Sequence, residues 1–231
     1  MAIASVLVSC QDKESGGYVV EAKNVLYSNN KIATVEAQSI YFDASEYDYY
    51  YETIASCSYE KNGFKIKLPK TLNGKFLEPW DDDGMDYITI SDKNAKVGIV
   101  EFYALDKSGE EIGEFYFEGK SSSIFSEGEA VYVYADRNFT MKGTDEGFEE
   151  EDEFSYSWYE ECNCTFKKGW NIIYTTYDVD IDSQKVTILL TTNKPSGMNW
   201  VWSFDYWDER GKSPVRTIKS IKDVKKNFLR K

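Results

Sequence analysis

Phe154-Ser155-Tyr156-Ser157-Trp158-Tyr159-Glu160-Glu161-Cys162-Asn163-Cys164-Thr165-Phe166 decides the fold class. Its even positions are aromatic or sulfur-bearing, with Glu160 the one interruption, and its odd positions are mostly polar. Successive side chains of a strand point to opposite faces. The stretch therefore predicts one long strand with an inward even face. Lys168-Gly169 then reads as a turn into Trp170-Asn171-Ile172-Ile173-Tyr174.

The same period runs outward in both directions. Phe64-Lys65-Ile66-Lys67-Leu68 alternates apolar and basic, with Asn62-Gly63 before it as a hairpin signal and residues 50–60 as the expected partner strand. Strands are also expected at 18–27 and 32–42, joined at Asn29-Asn30, and at 87–90. A hairpin of 97–105 and 111–117 is expected around Lys107-Ser108-Gly109. Short strands at 131–134, 139–142, 186–191 and 200–206 complete the set. Many short strands between turn signals predict an all-β, antiparallel β-sandwich, Ig-like or jelly-roll-like. Gly119, Ser121-Ser122-Ser123 and Gly128 mark the one stretch, 119–128, where the body at 17–210 would divide into two sandwiches.

Composition narrows the function. The chain has 231 residues and 42% hydrophobic content, enough to bury a core. Its 18 Tyr and 13 Phe favour strands, where wide side chains pack on a pleated surface. The net charge is −13, which argues against a nucleic-acid partner, because phosphates are repelled. No histidine is present, which removes the usual general base and the commonest metal ligand. The expectation is a protein that binds without catalysing.

The two ends differ from the body. Ala2 to Val8 is a short apolar run, far below the ~20 residues that span a bilayer. It fits the end of a signal-peptide core. Leu7-Val8-Ser9-Cys10 resembles the bacterial lipobox, which implies a lipid on Cys10. The polar run Gln11 to Gly17 reads as a tether. Residues 1–16 are thus expected to be signal remnant and tether. At the other end, residues 211–231 hold eight Lys/Arg against one Asp, net +7. Val215, Ile218, Ile221, Val224 and Phe228 recur every three or four residues after Pro214, which predicts an amphipathic basic helix over 214–229. Its apolar stripe is expected to dock on the body, with a membrane surface as the alternative. Cys57, Cys162 and Cys164 are expected to be buried hydrophobes, with a disulfide from Cys57 to Cys162 or Cys164 as the alternative.

Several clusters are candidates for chemistry. Asp81, Asp83 and Asp86 gather oxygen ligands around Gly84, the chemistry calcium requires, but without EF-hand spacing; an acidic hairpin tip is the competing reading. Asp178, Asp180 and Asp182 share one strand face. Asp145 to Glu153 holds seven acids in nine residues and reads as a solvated loop. Flat aromatic faces stack on sugar rings. Trp207 and Tyr159 fall opposite apolar faces, and Trp80 and Tyr49 lie near expected loops, so these four are the candidate ligand-binding residues.

Leu7-Val8-Ser9-Cys10, Asn62 to Pro69, Val131-Tyr132-Val133-Tyr134-Ala135-Asp136 and Phe166-Lys167-Lys168-Gly169-Trp170-Asn171 together resemble uncharacterised lipoproteins of gut Bacteroidetes. That resemblance implies a β-rich protein of the cell envelope, anchored by its lipid to the outer membrane, and it carries over no active-site residues. A glycan-binding accessory role is the leading expectation. A structural or assembly subunit of an envelope complex, and a carboxylate-based glycosidase, are the alternatives.

Overall fold

The computed structural model describes residues 17–43, 48–80, 87–120, 127–151, 154–180 and 182–203. Cys10, Asp81, Asp83, Asp86, Trp207 and the expected helix at 214–229 lie outside the described residues. The protein is all-β and packs as a sandwich. Its strands are β1 (Gly17–Lys23), β2 (Thr34–Asp43), β3 (Asp48–Ser58), β4 (Gly63–Pro69), β5 (Glu78–Pro79), β6 (Thr89–Ile90), β7 (Lys96–Leu105), β8 (Glu111–Lys120), β9 (Glu127–Ala135), β10 (Phe139–Glu151), β11 (Phe154–Phe166), β12 (Gly169–Asp180), β13 (Lys185–Thr191) and β14 (Met198–Ser203). Among the described residues, no helix is long and apolar enough to cross a membrane.

β1 and β4 form a small antiparallel sheet. Val20, Ala22, Phe64, Ile66 and Leu68 face inward from it, while Lys65 and Lys67 stay exposed, as the alternation of residues 64–68 predicts. This sheet covers one face of the large sheet, whose order is β3-β2-β7-β8-β9-β12-β13-β11-β10-β6 with β14 beside β8. Between the layers lies the first core, with Val35, Ala37, Phe102, Phe115, Tyr132 and Trp200 among its members. A second core forms on the opposite face of β7 and β9, where Val97, Val133 and Ala135 meet Met141, Cys164, Phe166, Ile173, Ile188 and Leu190. Alternate residues of β7 and β9 thus feed two cores. At the two ends of the stretch 119–128, Gly119 pairs with Gly128 and Lys120 with Glu127 across β8 and β9.

Three expected pairings are corrected. The turn at Asn62 exists, with Lys61 at φ 51° and Asn62 at φ 62°, the left-handed pair that a tight hairpin turn needs. However, β3 and β4 leave it for different sheets. β1 and β2 are likewise not partners, because β1 pairs with β4 and β2 with β3 and β7. The turn at Gly169 joins β11 to β12, yet β13 inserts between them and lies parallel to β11. By contrast, the hairpin of β7 and β8 turns as expected. Asp106 accepts from the Ser108 and Glu110 amides at 2.7 and 3.1 Å.

The acid block is the fourth correction. Residues 145–151 continue β10 and pair with β11 from Glu160 to Phe154. β6 borders β10 only at Met141 and Lys142, so among the described residues the later part of β10 is a sheet edge. Carboxylates along an edge oppose pairing with another chain, which is why a strand tolerates them here. Gly143 sits where Tyr87 crosses this edge: a Cβ on it would meet the Tyr87 carbonyl oxygen at 2.1 Å. Gly143→Ala should cost about 1–3 kcal/mol in chemical denaturation, because backbone must move. A loss within error of zero would mean that Tyr87 does not cross there.

Candidate functional site

β7 is shared between two neighbours. Val97 to Val100 pair with Ala135 to Tyr132 of β9, and Phe102 to Leu105 pair with β8. β8 in turn passes from β7 to β9 between Phe115 and Phe117. Glu101, Tyr116 and Val131 therefore sit where three strands part. The gap is a recess of about 70 Å3 lined by Glu101, Tyr116, Val131, Ile40, Phe102 and Trp200, among others.

The face turned away from the first core carries aligned polar rows. Glu36 of β2 is opposite Tyr103 of β7, which is opposite Glu114 of β8. Gln38 is opposite Thr53 on one side and Glu101 on the other. Ile40 is opposite Tyr51. Glu36, Gln38, Glu101, Tyr103, Glu114, Tyr116 and Glu129 are all half-buried, while Tyr51 and Thr53 are exposed. Glu36 accepts hydrogen bonds from the Thr53 hydroxyl at 2.6 Å and the Gln38 amide at 3.2 Å. The Tyr103 hydroxyl donates to Glu101 at 2.5 Å, and the Tyr51 ring meets the Tyr103 ring edge-on at 6.4 Å. Burial raises the Glu101 carboxyl above the usual carboxylate range, against the lowering effect of the Tyr103 hydrogen bond. Such a group beside a recess marks a functional candidate. No protein-family model matches this chain, and comparison with curated proteins and with solved structures finds no match.

Among the described residues, those singled out from sequence do not converge. Trp80 is half-buried and packs on the second core, its ring centroid 6.3 Å from that of Phe166. Tyr159 lies on the outer side of β11, its hydroxyl 3.3 Å from Glu161 and its ring 5.7 Å from the Lys185 ammonium. Tyr49 is in β3, opposite Phe42 and at the far end of the sheet order from β11. Asp178 and Asp180 end β12. The Ser183 side chain first, then the Ser183 and Asp182 amides that close a turn on it, donate to the Asp180 carboxylate and hold it below the usual carboxylate range. Among the described residues, no group of three or more His, Cys, Asp or Glu is placed to hold a metal ion. Cys162 and Cys164 are buried free thiols, and Cys57 is free and half-buried.

Sequence reading missed Glu101. A signal was present. On Val97-Gly98-Ile99-Val100-Glu101-Phe102-Tyr103 the odd face begins as core and then carries a carboxylate. A charge on an apolar face is the informative exception. Because the folded-state pKa of Glu101 is raised, its ionised form opposes folding at neutral pH, and that cost vanishes below its unfolded pKa of about 4.3. Glu101→Gln keeps an acceptor for Tyr103 and removes the charge. The variant should melt above the wild type at neutral pH and converge with it in acid. A lower melting point at neutral pH would refute the burial argument.

Proposed function

We propose that this chain is the body of an envelope lipoprotein that binds a glycan, without catalysis, on the outer face of β2, β3, β7 and β8. One observation carries the reading: half-buried Glu36, Gln38, Glu101 and Glu114 share one face with Tyr51, Tyr103 and Tyr116, and Tyr103 stands in register between Glu36 and Glu114. Carboxylates and an amide accept and bridge sugar hydroxyls, and tyrosine rings give apolar faces with a polar tip. The recess is far smaller than the ~300 Å3 at which ligand pockets begin, so a ligand would lie along the face rather than inside the fold. An extended oligosaccharide fits that demand better than a small compact metabolite. Anchoring through Cys10 to the outer membrane belongs to the same proposal and rests on Leu7-Val8-Ser9-Cys10.

The test is a calorimetric titration of the full chain with soluble oligosaccharides derived from starch, xylan and cellulose. Saturable binding to one of them is expected, with a several-fold loss in Tyr51→Ala and Glu36→Gln. Binding that survives both substitutions would place the ligand elsewhere, and no heat with any glycan would remove the reading. Lipidation is checked separately by incorporation of a labelled fatty acid, which Cys10→Ser should abolish.

A further inference from the structure

We propose that the outer face of the small sheet, β1 and β4, lies against the phosphate headgroups of an anionic lipid bilayer, with the carboxylate face of β2, β7 and β8 turned away from it. The inference deepens the lipoprotein reading and rests on it for the reach of the tether, whereas the charge of the small sheet stands by itself. Charge segregation carries the first part. Residues 17–31 and 60–70, the two strands with their flanking turns, hold six lysines and two glutamates, net +4, on a chain of net −13. Lys23, Lys31, Lys61, Lys65, Lys67 and Lys70 are all exposed. Val20, Ala22, Phe64, Ile66 and Leu68 take the core side, so Lys65 and Lys67 leave on the opposite face, across from Glu21 and Val19. Glu21 is itself paired with Lys23 at 3.1 Å. A basic face is drawn to an anionic leaflet over a Debye length of ~8 Å at physiological salt.

Chain path carries the second part. Gly17 opens β1 opposite Pro69 and stands seven residues after Cys10, a reach of at most ~23 Å. The Lys67 stem crosses Gly17, where a Cβ would meet its Cε at 2.7 Å. Lys67 and Lys70 therefore stand where the chain arrives from Cys10, and a lipid on Cys10 keeps them close to the headgroups of its own bilayer. An acidic protein would meet the same charge, but no tether holds one there. Exposed apolar groups carry the third part. At the far end of β1, Leu26 and Tyr27 are 41% and 67% exposed. The Leu26 amide donates to the Trp200 carbonyl at 2.9 Å, and its carbonyl accepts from the Trp202 amide at 3.0 Å, so the backbone holds this pair in place. Tyrosine beside lysine suits the boundary between headgroups and acyl chains. Layer order sets the orientation. The first core separates the small sheet from the large one, and Glu36, between buried Val35 and Ala37, takes the side away from it.

The test adds the full chain, unlipidated as Cys10→Ser, to vesicles of phosphatidylglycerol or of phosphatidylcholine. Sedimentation reads binding, and acetylation of lysines followed by peptide mass spectrometry reads the surface used. Binding to phosphatidylglycerol is expected, weak on phosphatidylcholine and lost in about 1 M salt, where the Debye length is ~3 Å. Lys23, Lys65, Lys67 and Lys70 should be protected several-fold, while Lys142 of β10 and Lys185 of β13 keep their labelling rate. The combined Lys65→Gln, Lys67→Gln and Lys70→Gln variant should bind at least about tenfold more weakly, with its melting point kept because all three side chains are exposed. A second variant, with Lys219, Lys222, Lys225 and Lys226 changed to Gln, separates this surface from the basic segment 211–231. Binding that vanishes only in the second variant would overturn the proposal. So would equal protection of Lys142 and Lys65, or capture of soluble polyphosphate without vesicle binding. Protection of β1 and β4 with no fatty acid on Cys10 of the wild type keeps the bilayer surface and removes the anchor. A labelled fatty acid on Cys10 with no such protection in the lipidated protein does the reverse.

Discussion

Trp200→Ala should destabilise the protein by about 3–5 kcal/mol, the range for deleting a large buried aromatic. The Trp200 ring lies 5.2 Å from Phe64, 5.6 Å from Phe102, 5.3 Å from Phe117 and 6.0 Å from Tyr132. These partners come from β4, β7, β8 and β9, so one side chain ties the small sheet to the large one. Alanine would leave a void that none of the four rings can fill without leaving its own contacts. The backbone of Trp200 would hold, because its carbonyl accepts from the Leu26 amide at 2.9 Å. The loss should therefore fall on packing, and Trp200→Phe should recover about half of it. Trp200 also lines the recess where β7, β8 and β9 part. The alanine variant should open that recess toward the first core and admit water. Urea denaturation measures the effect, and a loss below about 1 kcal/mol would mean that the site collapses freely or is already wet.

What the sequence made legible and what it hid follow from one property of strands. Period two reports which face a residue takes, not which strand lies beside it. The inward faces of β4, β11 and β14 were readable for that reason, and Trp200 and Trp202 are buried together as their spacing requires. Partners were not readable: β4 leaves its sequence neighbour for β1, and β13 slips between β11 and β12. The acids of residues 145–151 hid a strand because Asp and Glu are poor strand formers in general. Their place at an edge, where charge serves a purpose, is a tertiary fact. The face with Glu36, Glu101 and Glu114 is hidden for the same reason. Its members come from β2, β7 and β8, and only register brings them into rows. Tyr49 and Trp80 drew notice as large aromatics near expected loops, and Tyr159 as one opposite an apolar face, criteria that say nothing about convergence.

The second large effect is alkaline. Burial first, then neighbouring negative groups, holds the Tyr87, Tyr103 and Tyr132 hydroxyls well above the ordinary tyrosine range, and burial pushes Tyr174 up to about 12. Glu160 acts on Tyr87 as both charge and acceptor, its carboxylate 3.0 Å from the hydroxyl and itself 2% exposed. Glu101 acts on Tyr103 in the same way. Below pH ~10, the unfolded tyrosine value, both states keep these protons and stability is unaffected. Above it the unfolded chain releases protons that the folded chain retains, so the folded state loses ground as pH rises. Each such tyrosine contributes about 1.4 kcal/mol per pH unit. Tyr103 and Tyr132 count in full, the buried Tyr174 counts only up to about pH 12, and the half-buried Tyr87 counts for less because solvent screens it. The slope is then about 3–5 kcal/mol per unit, and a domain stable by about 5–9 kcal/mol unfolds between roughly pH 11 and 13. Tyrosinate absorbance should appear cooperatively with the loss of far-ultraviolet strand signal. Tyr132→Phe removes one retained proton, so its alkaline limb should be shallower by about 1.4 kcal/mol per unit. Tyrosines that ionise near pH 10 one by one, with the sheet intact, would show that these hydroxyls reach water and that the first core is looser than the packing of Phe64, Phe102, Tyr132 and Trp200 requires.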